Sequence, residues 1–130
     1  MSLNRRTFLG RSAALATTSL MPMAVLAADS IKLGSILDTS GPFDAYGKPM
    51  DQAMRLAVSE INEAGGLLGR QVEVTAYDTQ SDMALYSQYG QQLTRQDQVD
   101  VVHGGILSAS REAIRQTMRK TNTLYFYNVL

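Results

Sequence analysis

The sequence predicts an α/β fold, an open parallel sheet with helices on both faces. Three observations carry this. Short runs rich in β-branched residues recur near residues 31, 71, 100 and 124. Apolar residues at helical spacing fill the stretches between them. Clusters of Gly, Pro and Asp mark the change from one period to the other. Strands that alternate with helices need crossovers, and right-handed crossovers give a parallel sheet.

Ile31-Lys32-Leu33-Gly34-Ser35-Ile36-Leu37 reads as the first strand and stops at Asp38-Thr39-Ser40-Gly41-Pro42. A loop is expected to run to Pro49. Met50, Ala53, Met54, Ala57, Ile61 and Ala64 then form one helical face, which Gly65-Gly66 ends. Met50 and Met54 are expected to pack in the core. Val72, Val74 and Ala76 alternate with Glu73, Thr75 and Tyr77, as in a half-exposed strand at a sheet edge. Asp82 is the expected N-cap of a helix with the stripe Leu85, Tyr86, Tyr89 and Leu93. Val99 to His103 is a third strand, ending at Gly104-Gly105. Ser108 to Lys120 is a third helix, with Ala109, Ala113, Ile114, Thr117 and Met118 facing inward. Leu124 to Val129 is a fourth strand.

The opening of the chain has a different composition. Asn4-Arg5-Arg6-Thr7-Phe8-Leu9-Gly10 precedes a charge-free run from Ala13 to Ala28 that Pro22 interrupts. That run is shorter than the roughly 20 residues that cross a bilayer as a helix. Two adjacent arginines, Phe-Leu after Thr7, a moderately apolar run and small residues at its end resemble a twin-arginine export signal. The resemblance implies residues 1–28 as a leader, cleaved after Ala27 or Ala28, and the twin-arginine export machinery and the periplasm as partner and destination.

The 130 residues balance 12 basic against 12 acidic groups. Removing the leader takes three arginines and no acid, leaving nine basic groups and a net charge of −3. A mildly acidic domain without a basic patch gives no reason to expect nucleic acid as a partner. With no cysteine there is no disulfide, thiolate metal site or cysteine nucleophile. The one histidine, His103, follows Val101-Val102 and reads as a buried or half-buried strand residue with its ring hydrogen-bonded. No metal site and no cofactor are expected, and no catalytic residue.

In an open α/β sheet, ligands bind beyond the carboxyl ends of the strands, at a topological switch point. Two segments converge there: Asp38 to Pro49 with Phe43 and Tyr46, and the turn Gly104-Gly105-Ile106-Leu107-Ser108-Ala109-Ser110. Glycines admit close approach, and a helix N-terminus offers unpaired N–H groups to an anion or a carbonyl oxygen. From the turn alone, Ser108 and Ser110 serve equally well as ligand groups or as caps of their own helix. The first strand-to-helix turn lacks GxGxxG, and neither GxxxxGK[ST] nor GxSxG occurs. Asp38 and Asp78, at neighbouring strand ends, fit a divalent-cation site less well than they fit turns.

Ser40-Gly41-Pro42 with Tyr46-Gly47, then Leu56-Ala57-Val58-Ser59-Glu60-Ile61-Asn62-Glu63-Ala64-Gly65-Gly66-Leu67-Leu68-Gly69-Arg70, then Tyr77-Asp78-Thr79-Gln80-Ser81-Asp82, resemble type I periplasmic solute-binding proteins of ABC importers. Leucine/isoleucine/valine-binding proteins and receptors for urea and short-chain amides belong to that group. The resemblance covers the region from residue 29 to 130. It implies the start of the first of two lobes, a small polar solute trapped between them, and delivery to an ABC permease in the inner membrane. It also implies the ligand positions. Tyr46 matches an aromatic that stacks near the solute, and Ser108 a serine that binds its carboxylate or amide oxygen. Ala109 and Ser110 add backbone N–H groups, and Tyr127 to Val129 line the cleft. Ile106 stands where amide-binding members carry an aromatic, and Val129 where amino-acid binders carry a hydroxyl. The run from Tyr125 to Leu130 tilts the reading slightly toward an amide or urea.

The chain stops inside that apolar run, which reads as a truncated lobe. The expected function is therefore solute capture for import, not catalysis. The alternatives are a metal-dependent flavodoxin-like or receiver-like domain, or a fragment without function of its own.

Overall fold

The computed structural model describes residues 29–127 and 129, so the expected leader and its two cleavage positions lie outside the described residues. Within them strands and helices alternate: β1 (Ile31–Leu37), α1 (Asp44–Glu63), β2 (Val72–Asp78), α2 (Met83–Arg95), β3 (Val101–Gly104), α3 (Ser108–Thr121) and β4 (Leu124–Phe126). The strands form one parallel sheet in the order β2-β1-β3-β4. From β1 the chain crosses to one side for β2 and to the other for β3. The carboxyl ends of β1 and β3 therefore flank the switch point. The alternating β2 lies at an edge, as its pattern predicts.

Side chains on a strand alternate between faces. On one face Ile36 and Val102 meet α2 and α3, where Tyr86, Leu93, Val99, Ile114 and Met118 complete the apolar core. Burying each such aliphatic side chain contributes about 1.5–3 kcal/mol. Gly34 brings α2 close: a Cβ there would lie 2.9 Å from Leu93 Cδ1. Asp82 caps α2 as expected, accepting from the Ala84 N–H at 2.8 Å.

Among the described residues the other face is covered by α1, which packs mainly over β1 and β2. A helix about 10 Å wide spans two strands spaced about 4.8 Å apart, not four. An open apolar groove of about 510 Å³ remains, lined by Leu33, Met54, Ile61, His103 and Phe126 among others. Met50 and Met54 are thus half-buried groove walls, while Ala53, Ala57 and Ala64, expected inside, are exposed. Phe126 is 58% exposed on the bare side. His103 is half-buried as expected, but its ring is not hydrogen-bonded at Nδ1, which is buried without a partner among the described residues. The groove side chains around it are apolar, with methionine thioethers as the only, weak, acceptors among them.

Three boundaries and one helix face differ from the sequence reading. Helix α1 starts at Asp44, six residues before Met50, and runs through Pro49. That proline removes one bond, to the carbonyl of Ala45, itself an exposed residue. The first turn is compensated by Asp44 near the positive helix end and by its 2.6 Å ion pair with Lys48. Strand β3 begins at Val101 because the Val99 N–H is bound to the Leu93 carbonyl at the exit of α2. Strand β4 ends at Phe126, the partner of His103, because β3 turns away at Gly104. In α3, Ala109 is exposed in the first turn, while Ile114, Thr117 and Met118 face inward.

Candidate functional site

The loops at the carboxyl ends of β1 and β2 are stitched together by two aspartates. Asp78 accepts from the Thr39 N–H at 3.0 Å, the Ser40 N–H at 3.1 Å, the Ser40 hydroxyl at 2.6 Å and the Gln80 N–H at 3.0 Å. Burial pushes its carboxyl up, but the bonds from Ser40, Gln80 and Thr39 outweigh this and hold it below the usual carboxylate range. Asp38 is buried and accepts from the Thr79 hydroxyl, from Tyr86 Oη at 2.6 Å and from the Ser81 N–H at 3.3 Å. Burial and the Asp38 bond raise the Tyr86 hydroxyl to about 12. Both aspartates thus hold loop donors, and no group of three or more His, Cys, Asp or Glu side chains that could hold a metal occurs among the described residues.

Gly47 lets α1 cross directly over this stitch. A Cβ there would lie 2.0 Å from the Asp38 carbonyl oxygen, so only glycine fits. The crossing places Tyr46, one residue earlier, 63% exposed beyond the carboxyl end of β1.

Beyond β3 the chain leaves the sheet through Gly104 and Gly105, at φ of +140° and +82°. The Gly105 N–H still reaches the Ile36 carbonyl at 2.9 Å. Ser110 is wholly buried, and its hydroxyl accepts from the N–H groups of Ile106 and Leu107 at 3.1 and 3.0 Å while donating to the Leu107 carbonyl at 2.6 Å. Of the two serines that the turn left undecided, Ser110 is the one whose hydroxyl caps α3. Ser108 is exposed at the head of the helix, and its hydroxyl has no partner among the described residues. Ala109 is exposed beside it. The first-turn N–H groups of a helix have no intrahelical acceptor, and they carry positive potential.

Tyr46, Ser108 and Ala109 therefore lie exposed at the same end of the sheet, beyond the adjacent strands β1 and β3. Ile106 is different: its side chain is 5% exposed and packed inward. Tyr127 is half-buried, donates to the Ile106 carbonyl at 3.0 Å and carries the Arg111 guanidinium 5.2 Å from its ring centroid. Val129 is half-buried. The apolar groove under α1 is lined by none of these residues. What the geometry offers is a shallow wall with an aromatic, a free hydroxyl and a helix N-terminus. Such a wall suits one side of a small polar or anionic molecule.

Two contributors escaped the sequence reading. Tyr125 donates to the Gly104 carbonyl at 3.0 Å. Tyr86 reaches Asp38 across the core. The first was visible in principle, since Tyr125 and Tyr127 are two apart on a strand and share a face. The second joins residues 48 apart, and no local pattern reports it.

Comparison with known proteins bears on the same region. A family model described as "Periplasmic binding protein" matches residues 30–130. A leucine-, isoleucine-, valine-, threonine- and alanine-binding protein of Pseudomonas aeruginosa is 37% identical over 57 residues, which is 44% of this chain and 15% of that protein. The branched-chain amino acid transporter substrate binding protein of Streptococcus pneumoniae, solved with isoleucine, superposes with a TM-score of 0.75 at 32% identity, covering 77% of this chain and 29% of that one. An amino acid ABC transporter substrate-binding protein from Pseudomonas fluorescens gives 0.71 at 28% identity, with 79% and 27% covered. The chain thus spans less than a third of the length of these solved relatives. These relatives are solute-binding proteins of transporters, not enzymes. With the family model matched over residues 30–130 and the parallel α/β fold shared, the chain belongs to the periplasmic binding protein family.

Proposed function

We propose that this chain supplies one wall of the solute cleft in the receptor of an ABC importer, and that the solute is a branched-chain amino acid. The observation that carries the reading is the head of α3. Ser110 fixes the turn from within, while the Ser108 hydroxyl and the adjacent N–H groups are left free to receive a carboxylate. Tyr46 covers the same site from α1. The relatives named for branched-chain amino acids support that solute class. The tyrosines that tilted the sequence reading toward an amide or urea have their hydroxyls on the carbonyls of Gly104 and Ile106, so they hold no free donor for an amide oxygen. In this reading the second wall comes from another lobe, closure delivers the solute to an inner-membrane permease, and residues 1–28 send the receptor to the periplasm by the twin-arginine route.

The test is calorimetric titration of isoleucine into the receptor bearing both lobes. A hydrogen bond to a charged group contributes about 1.5–3 kcal/mol, so Ser108→Ala is expected to weaken binding by about 10- to 100-fold. Unchanged affinity would remove Ser108 from the site. No heat with leucine, isoleucine or valine would overturn the solute class.

A further inference from the structure

We infer that β4 and the residue after it form a positioning element, in which Tyr125 and Tyr127 set the turn that presents Ser108, and so set solute affinity without touching the solute. The inference rests on the reading of the α3 head as the solute-binding group. Backbone pairing of β3 with β4 stops at His103 and Phe126, because the chain turns out of the sheet at Gly104. Past that point the carbonyls of Gly104 and Ile106, both buried residues, have lost the neighbouring strand that would supply their donors. Buried carbonyls must be satisfied. Tyr125 Oη and Tyr127 Oη fill the two places, each at 3.0 Å.

The match is one of spacing. The two tyrosines are two residues apart on one face of an extended segment, about 6.6–7 Å along the chain, and the carbonyls they reach are also two residues apart. Each hydroxyl reaches two positions past its own place in the parallel register, where Val102 pairs Tyr125. The side chains thus carry the ladder on after the backbone has left it. Between the two bonds sits Gly105, where a Cβ would lie 2.9 Å from Tyr125 Oη and 3.4 Å from both Ser110 Oγ and Tyr127 Cδ2. The turn is therefore gripped from β4 on one side and by the Ser110 cap on the other. Arg111, in the first turns of α3, lies over the Tyr127 ring and ties the helix to the same grip. Burial raises the Tyr125 hydroxyl above its ordinary range, in keeping with a phenol that donates.

The experiment compares Tyr125→Phe and Tyr127→Phe with the parent by amide hydrogen exchange on the chain, and by isoleucine affinity in the receptor bearing both lobes. Exchange over residues 105–110 is expected to quicken by about tenfold, with residues 44–63 of α1 unchanged, and affinity to fall by about three- to tenfold. Unchanged exchange over 105–110 overturns the positioning role. Acceleration spread equally over α1 also overturns it, because it reports lost stability only. Quicker exchange with full affinity overturns the link to binding. If Tyr125→Phe does not fold, Tyr127→Phe decides by the same criteria, since Tyr127 lies outside the apolar core. If the parent receptor binds no isoleucine, the solute reading fails by itself, and the exchange arm still judges the grip on the turn.

Discussion

A histidine ring with a buried, unpartnered nitrogen resists protonation, and His103 is such a ring. Burial lowers its pKa below the ordinary 6.5. The folded state therefore binds fewer protons than the unfolded state as pH falls below 6.5, so stability declines from there down to the folded-state value. Its stabilising contribution is intact above 6.5. Because His103 is the only histidine, no other side chain of ordinary pKa titrates between pH 7.5 and 5.5. Melting temperature is expected to drop across that window in the parent chain and to stay level in His103→Gln. An equal drop in both would show that the ring plays no part. The residue scale is also where the sequence was least legible. Ser108 and Ser110 are identical residues two positions apart, yet one is exposed and the other wholly buried. Two positions apart on a helix, they point about 200° apart, and the turn through Gly104 and Gly105 sets which of them faces inward. Composition places glycines there but does not say which way the turn rolls. For the same reason Ile106 and Ser110, expected along the cleft, have side chains turned inward, while Tyr46 and Ser108 are exposed.

At the scale of elements the periodicities served well, because each helix has one apolar stripe and each strand one run. They failed at junctions. The start of α1 was hidden by Pro49, whose single lost bond, at an exposed residue, is a smaller cost than a helix break suggests. The end of β4 was hidden because it depends on where its partner stops. Two helix glycines test how far intrinsic propensity governs these elements. Alanine is favoured over glycine in a helix by about 1 kcal/mol. At Gly90 of α2, an added Cβ finds only Met118 Cε, at an ordinary 3.6 Å. At Gly47 of α1 it would lie 2.0 Å from the Asp38 carbonyl oxygen. Gly90→Ala is therefore expected to stabilise the chain by about 0.5–1 kcal/mol, and Gly47→Ala to destabilise it by about 1–3 kcal/mol. Urea midpoints measure both. A midpoint that rises for Gly47→Ala would mean that α1 does not cross β1 as closely as described.

For the molecule as a whole, the two faces of the sheet tell one story about binding. The α2–α3 face carries a closed apolar core, whereas the α1 face carries an open groove. The proposed solute wall at the carboxyl ends is open in the same sense: Tyr46, Ser108 and Ala109 are exposed on it. A small-molecule site normally buries about 70–90% of its ligand. A single wall covers roughly half of that, and the contacts it lacks include all those from the opposite side. Loss of half the contacts takes a micromolar site, at about −8 kcal/mol, to about −4 kcal/mol, which is the millimolar range. Isoleucine titrated into residues 29–130 is thus expected to bind no tighter than about 1 mM, against micromolar binding by the receptor bearing both lobes. Micromolar affinity in residues 29–130 would contradict the shared cleft and require a complete site within this lobe. The apolar groove under α1 would then be the place to look. Met54→Asp, set in the wall of that groove on α1, separates the two cases. It abolishes binding if the solute sits under α1 and leaves it unchanged if Ser108 holds the solute.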